Sequence, residues 1–145
     1  RYRSSAASDV YKRQDIDLLS FDEIIICPSN PYVSINPMLQ LSSLQDHLRK
    51  FPEKVTVISP IVNSKSLKGP TAKMMLELGH EISVNTIGEF YKNYSHRIFI
   101  DAADKENSDF LTAVGYEVHC SNLVMNNTLS KNKLADNIIK VLEGR

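Results

Sequence analysis

The chain has 145 residues, 42% of them hydrophobic, with 17 basic and 17 acidic side chains and no net charge. That is enough apolar material for one packed domain. A balanced charge gives no general case for nucleic-acid binding, and no apolar run approaches the roughly 20 residues that cross a bilayer.

The first fourteen residues, RYRSSAASDVYKRQ, lack an apolar period and carry four basic residues against one acidic. They resemble an adapter- or vector-derived peptide and are expected to lie outside the native fold, which then runs over residues 15–145. Without them the chain has 13 basic and 16 acidic residues, a net charge of −3.

From there the chain alternates. Ile24–Cys27 is a short apolar run of the kind that forms a strand buried on both faces. Pro37 suits a first helical turn, with Met38, Leu39, Leu41, Leu44 and Leu48 forming one stripe to about Lys50. Val55–Ser59 reads as a second strand. Pro70 opens another helix, with Met74, Met75 and Leu78 on one face and Gly79 at its end. Thr86 is placed to cap a short helix ending near Tyr94. Arg97–Ile100 is a third strand, Glu106–Val114 a helix closed by Gly115, and Tyr116–Cys120 a fourth strand. Ser130–Glu143 makes a last helix with Leu134, Ile138, Ile139 and Leu142 inward and Gly144 after it. The expected fold class is α/β, an open and mostly parallel Rossmann-like sheet with flanking helices.

Such sheets bind ligands beyond the carboxyl ends of their strands. Three polar loops fall there: Pro28–Asn36, Pro60–Gly69 and Asp101–Lys105. In the first, Ser29, Asn30 and Ser34 offer hydroxyl and amide groups, and Pro31 helps to pre-set the backbone beside a helix start with free N–H groups. The same residues are also ordinary turn formers. In the second, Lys65 and Lys68 stand close together, with Gly69 allowing near backbone approach to an anion; a solvated lysine pair is the plainer alternative. In the third, Asp101 and Asp104 are candidate magnesium contacts, or else acids that complement a helix start. The four histidines have no metal-binding spacing, and no glycine-rich dinucleotide loop, Walker A loop or Gly-x-Ser-x-Gly elbow occurs. Cys27 and Cys120 match no CxxC or zinc pattern and are expected to be reduced core thiols, as in a cytoplasmic protein.

Three segments taken together, PSNPYVSINPML, SPIVNSKSLKGPTAKMM and FIDAAD, resemble the C-terminal part of the 2-phospho-L-lactate transferase family of coenzyme F420 biosynthesis. The likeness runs from about Asp15 to the end. It implies a phospho-lactyl or phosphoenolpyruvyl group carried on a guanosine diphosphate-activated donor. That group would pass to the ribityl hydroxyl of the deazaflavin Fo, with release of GMP and magnesium assistance. It places Ser29, Asn30, Pro31 and Ser34 on the nucleotide, and Lys65, Lys68 and Gly69 near phosphate or carboxylate. It implies no nucleic-acid or membrane partner, and a homodimer for the intact enzyme. Where the family usually has a Gly-Gly pair before the lysine, this chain has Asn63-Ser64. Family members also begin with a glycine-rich strand, loop and helix that this sequence does not show. The expectation is therefore a C-terminal half of a larger domain, doubtful as a catalyst alone. Two other readings stand beside it: a related nucleotide-sugar-binding cytoplasmic regulator, and a plain α/β domain whose loops only connect.

Overall fold

The computed structural model describes residues 18–67 and 69–144, so the first fourteen residues and Lys68 lie outside the described part. Four strands form one sheet: β1 (Ile24–Ile26), β2 (Val55–Ile58), β5 (Arg97–Asp101) and β6 (Glu117–Ser121). They lie side by side in chain order and every pairing is parallel. The α/β class and the parallel sheet read from the sequence are those of the protein.

Between β1 and β2 the chain makes a π-helical turn at Pro31–Ile35, then α1 (Asn36–Leu39) and α2 (Ser42–Lys50). A two-stranded antiparallel hairpin follows β2, made of β3 (Ile61–Val62) and β4 (Lys65–Ser66). Next come α3 (Thr71–Glu77) and α4 (Val84–Tyr91), and after β5 a 3-10 segment at Ala102–Asn107, α5 (Ser108–Val114), β6 and α6 (Thr128–Glu143).

Strands laid down in chain order with right-handed crossovers stack their helices on one face. The core shows this. Ile26, Val55, Val57, Ile98 and Ile100 form one cluster with Leu48 of α2, Met75 of α3, Ile87 and Tyr91 of α4 and Leu111 of α5. The opposite face carries a smaller cluster, in which Ile58 and Phe99 meet Leu123 and α6 through Leu134 and Ile138.

Several expectations are corrected here. The single helix over 37–50 is broken, because Leu41 is extended (φ −77°, ψ 110°) and starts a new helix; Met38 and Leu41 are exposed rather than part of a buried stripe. Ser83, not Thr86, caps α4 and accepts from the Thr86 amide at 3.2 Å. The helix expected from Glu106 begins at Ser108 after the 3-10 segment. Leu78 and Ile139 face solvent. Both cysteines are free, as expected, but exposed rather than in the core, because they sit on or beside the two outer strands. Gly79 and Gly115 do end their helices, at φ values of 75° and 109° that side chains disfavour.

At the amino end of the sheet, Arg97 lies on the second face with its side chain only 2% exposed. Its guanidinium donates to Thr56 Oγ1 at 2.8 Å, Glu117 Oε2 at 3.2 Å and Glu23 Oε2 at 3.4 Å. Burial alone would raise the Glu117 carboxyl, but the hydrogen bonds and charges of Arg97 and His119 outweigh it and hold Glu117 below the ordinary range. Burial holds Glu23 above that range, against the pull of Arg97 and Lys54.

Two outcomes follow from this packing. A Cβ on Gly88 of α4 would come within 2.4 Å of the buried Leu111 Cδ2 and 3.4 Å of Tyr116. Overpacking of about 1–3 kcal/mol outweighs the roughly 1 kcal/mol that alanine gains in a helix, so Gly88→Ala lowers stability in urea by about 1 kcal/mol. A depressed folded-state value means that the contribution of Glu117 is complete above its unfolded-state value and is lost as pH falls through the folded one. Urea titrations below about pH 4 are therefore expected to show a shallower loss of stability for Glu117→Gln than for the parent chain.

Candidate functional site

Because all four strands run the same way, Ile26, Ile58, Asp101 and Ser121 end on one edge, and the loops after them gather there. The loop after β1 is shaped by Asn30. Its Oδ1 accepts from the Tyr32 amide at 2.9 Å and the Val33 amide at 3.2 Å, while Pro31 begins the turn without needing a donor. The helical path therefore starts at Pro31, ahead of Pro37, and the first donors are already used by Asn30. The Asn30 Nδ2 lies 3.4 Å from Met74 Sδ, which fastens the loop to α3. Pro31 is buried, Ser29 half-buried and Ser34 exposed.

The loop after β2 is an organised hairpin. Ser59 Oγ accepts from the Ile61 amide at 3.1 Å and donates to the Ile61 carbonyl at 3.0 Å. Val62 pairs with Lys65 across a turn whose two central residues, Asn63 and Ser64, have φ of 49° and 55°. Two positive φ values define a type I′ turn, which explains why glycine suits these positions. Lys65 is exposed on β4, and Gly69 (φ 70°) is exposed beyond it. Lys68 lies outside the described residues.

The two aspartates expected at the third loop are both buried and both engaged with backbone N–H groups. Asp101 accepts from Ala103 at 3.0 Å and from Leu123 at 2.8 Å, one bond to each oxygen. Asp104 accepts from the Asn63 amide with both oxygens, at 3.1 and 2.9 Å. Burial pushes the Asp104 carboxyl up; the Asn63 N–H opposes this and the nearby Asp101 and Glu106 add to it. As they stand these carboxylates do not fit magnesium, which prefers carboxylates free to face phosphate oxygens. Among the described residues no group of three or more His, Cys, Asp and Glu is placed to hold a metal ion.

A fourth loop, 122–127, went unread in the sequence. With Cys27, Pro28, Ile58 and Leu67 it walls a cavity of about 470 Å³, closed on the far side by Lys131, Leu134, Ala135 and Ile138 of α6. The first loop, the hairpin arm and α6 therefore share one hollow, apolar except for such groups as Asn126 and Lys131. Its position after the fourth strand was the available signal; its apolar residues gave none.

The sequence profile of 2-phospho-L-lactate transferase CofD matches residues 7–135. The chain belongs to the 2-phospho-L-lactate transferase family. Curated relatives of that name include proteins of Methanocaldococcus jannaschii (40% identical over 82% of this chain), Methanococcoides burtonii (30% over 86%) and Methanopyrus kandleri (30% over 88%). The matched stretch is 37–40% of each relative's own length, so the chain spans well under half of the family members it resembles. Among the described residues no helix is long and apolar enough to cross a membrane.

The left-handed backbone at the hairpin tip sets an expectation for this chain. Left-handed backbone costs a side-chain-bearing residue about 1–2 kcal/mol, more for serine than for asparagine. Ser64→Gly is expected to raise the midpoint of thermal unfolding, by about 1 kcal/mol of stability. The β-branched Ser64→Val lowers it.

Proposed function

We propose that this chain supplies the donor-side part of a transferase that moves a phospho-lactyl, or phosphoenolpyruvyl, group from a guanosine diphosphate-activated donor to the ribityl hydroxyl of the deazaflavin Fo. The supporting observation is the gathering of the Ser29–Ser34 loop and the lysine hairpin at the carboxyl edge of a parallel sheet, in a chain of this family. In the proposed reaction the Fo hydroxyl oxygen forms a bond to the phosphorus that carries the three-carbon acid. The bond from that phosphorus to the bridging oxygen breaks, GMP leaves with that oxygen, and the hydroxyl proton passes to solvent. No protein nucleophile takes part.

The chain's task in this reading is to hold and neutralise the diphosphate. Lys65 and Lys68 supply charge, Gly69 lets the backbone approach, and Ser29 and Ser34 supply hydroxyl groups. Asn30 and Pro31 act by fixing the loop, since the Asn30 side-chain Oδ1 accepts from the backbone of its own loop. Magnesium enters the proposal as counter-ion of the diphosphate and is not assigned to Asp101 and Asp104. The intact enzyme is proposed to be a cytoplasmic homodimer.

Thermal unfolding of the chain with GDP, UDP-N-acetylglucosamine or NAD, each with and without magnesium, tests this. A ligand at 100 times its dissociation constant adds roughly 2.7 kcal/mol of stability. GDP alone is expected to stabilise, and Lys65→Ala to reduce the shift. A response confined to the UDP-sugar points to the related regulators, and a response to none of the three overturns nucleotide binding.

A further inference from the structure

A hairpin of two residues per strand, turning through two non-glycine residues in left-handed backbone, is marginal by itself. Among the described residues one hydrogen-bonded contact holds its tip from outside: the Asn63 amide, the first N–H of the turn, points between the two oxygens of Asp104. The bond is charge-assisted, and its acceptor lies 41 residues away in sequence on the segment after β5. Asp104 is itself fixed, 6% exposed, with Asn107 Nδ2 donating to its carbonyl at 3.2 Å. Lys65 follows the tip by two residues and pairs back to Val62, so any turn of the tip swings Lys65.

We infer that Asp104 is a positioning residue, a clamp that fixes the Val62–Lys65 turn and so determines where Lys65 stands toward a bound diphosphate. The inference rests on the donor reading above. It assigns the carboxylate a different role from that of a metal contact, and it accounts for how this chain keeps a glycine-type turn with Asn63 and Ser64.

The test measures GDP affinity by calorimetry, with and without magnesium, and hydrogen exchange at residues 63–66 in the 145-residue chain. Asp104→Ala is expected to weaken GDP about tenfold and to speed exchange at Asn63. Asp104→Asn keeps an acceptor oxygen and loses less, which also guards against an alanine variant that fails to fold. The deciding arm adds Asn63→Gly and Ser64→Gly to Asp104→Ala. Glycines adopt the turn without a clamp, so affinity returns with the carboxylate still missing. Affinity unchanged in Asp104→Ala overturns the inference. So does a loss that the glycines fail to restore, and one confined to magnesium-containing buffer marks Asp104 as a metal ligand instead. Failure of the parent chain to bind GDP sinks the donor reading, and with it the role given to Lys65; the exchange rates then report on the clamp alone.

Discussion

A parallel sheet built in chain order commits its crossover helices to one face, and the second face must be covered by other means. In this protein α6 covers the carboxyl half of that face through Leu134 and Ile138. The amino half is covered by charge. Arg97 stands in the cross-strand row Ile25, Thr56, Arg97 and Glu117, and its buried guanidinium reaches groups on β2 and β6 and the residue before β1. Removing such a cation from water costs several kcal/mol, which two carboxylates and a hydroxyl offset only together. The two ends of the sheet thus differ in kind: ion pairs close one, and the other opens into the apolar hollow and the polar loops.

That division explains why the carboxyl edge is available for ligand chemistry. Its two buried acidic side chains, Asp101 and Asp104, organise backbone: one ties the start of the 3-10 segment to the loop after β6, and the other ties that segment to the hairpin. Asn30 does the same within its own loop. The groups facing solvent include the Ser34 hydroxyl and Lys65 on short, braced segments, an arrangement that limits the entropy a phosphate ligand must remove on binding.

How much of this the sequence disclosed depends on the range of each interaction. The strands were legible because Ile24–Ile26, Val55–Ile58 and Arg97–Ile100 are short apolar runs with no competing reading. The break at Leu41 was not, since Met38 and Leu41 satisfy the helical period even though the chain turns between them and both stay wet. Asn30-Pro31 is a cap followed by a first-turn proline, a local signal outweighed by the more obvious Pro37. Asn63-Ser64 is a weaker hairpin signature than Asn-Gly, and its identification depends on left-handed φ values that no pattern displays. The distant partners of Asp101 and Asp104 lie 22 and 41 residues away, and separations of that size leave no trace in spacing.

The exposed thiols show what the strand order means under oxidation. Cys27 follows β1 and Cys120 lies in β6, the two outer strands, with β2 and β5 between them. Three inter-strand spacings of about 4.8 Å hold them roughly 14 Å apart, twice the reach of a disulfide. Neither thiol can quench the other, so each molecule is a bifunctional unit. Oxidant acting on either thiol therefore leads to a bond with another molecule rather than to a bridge within this sheet.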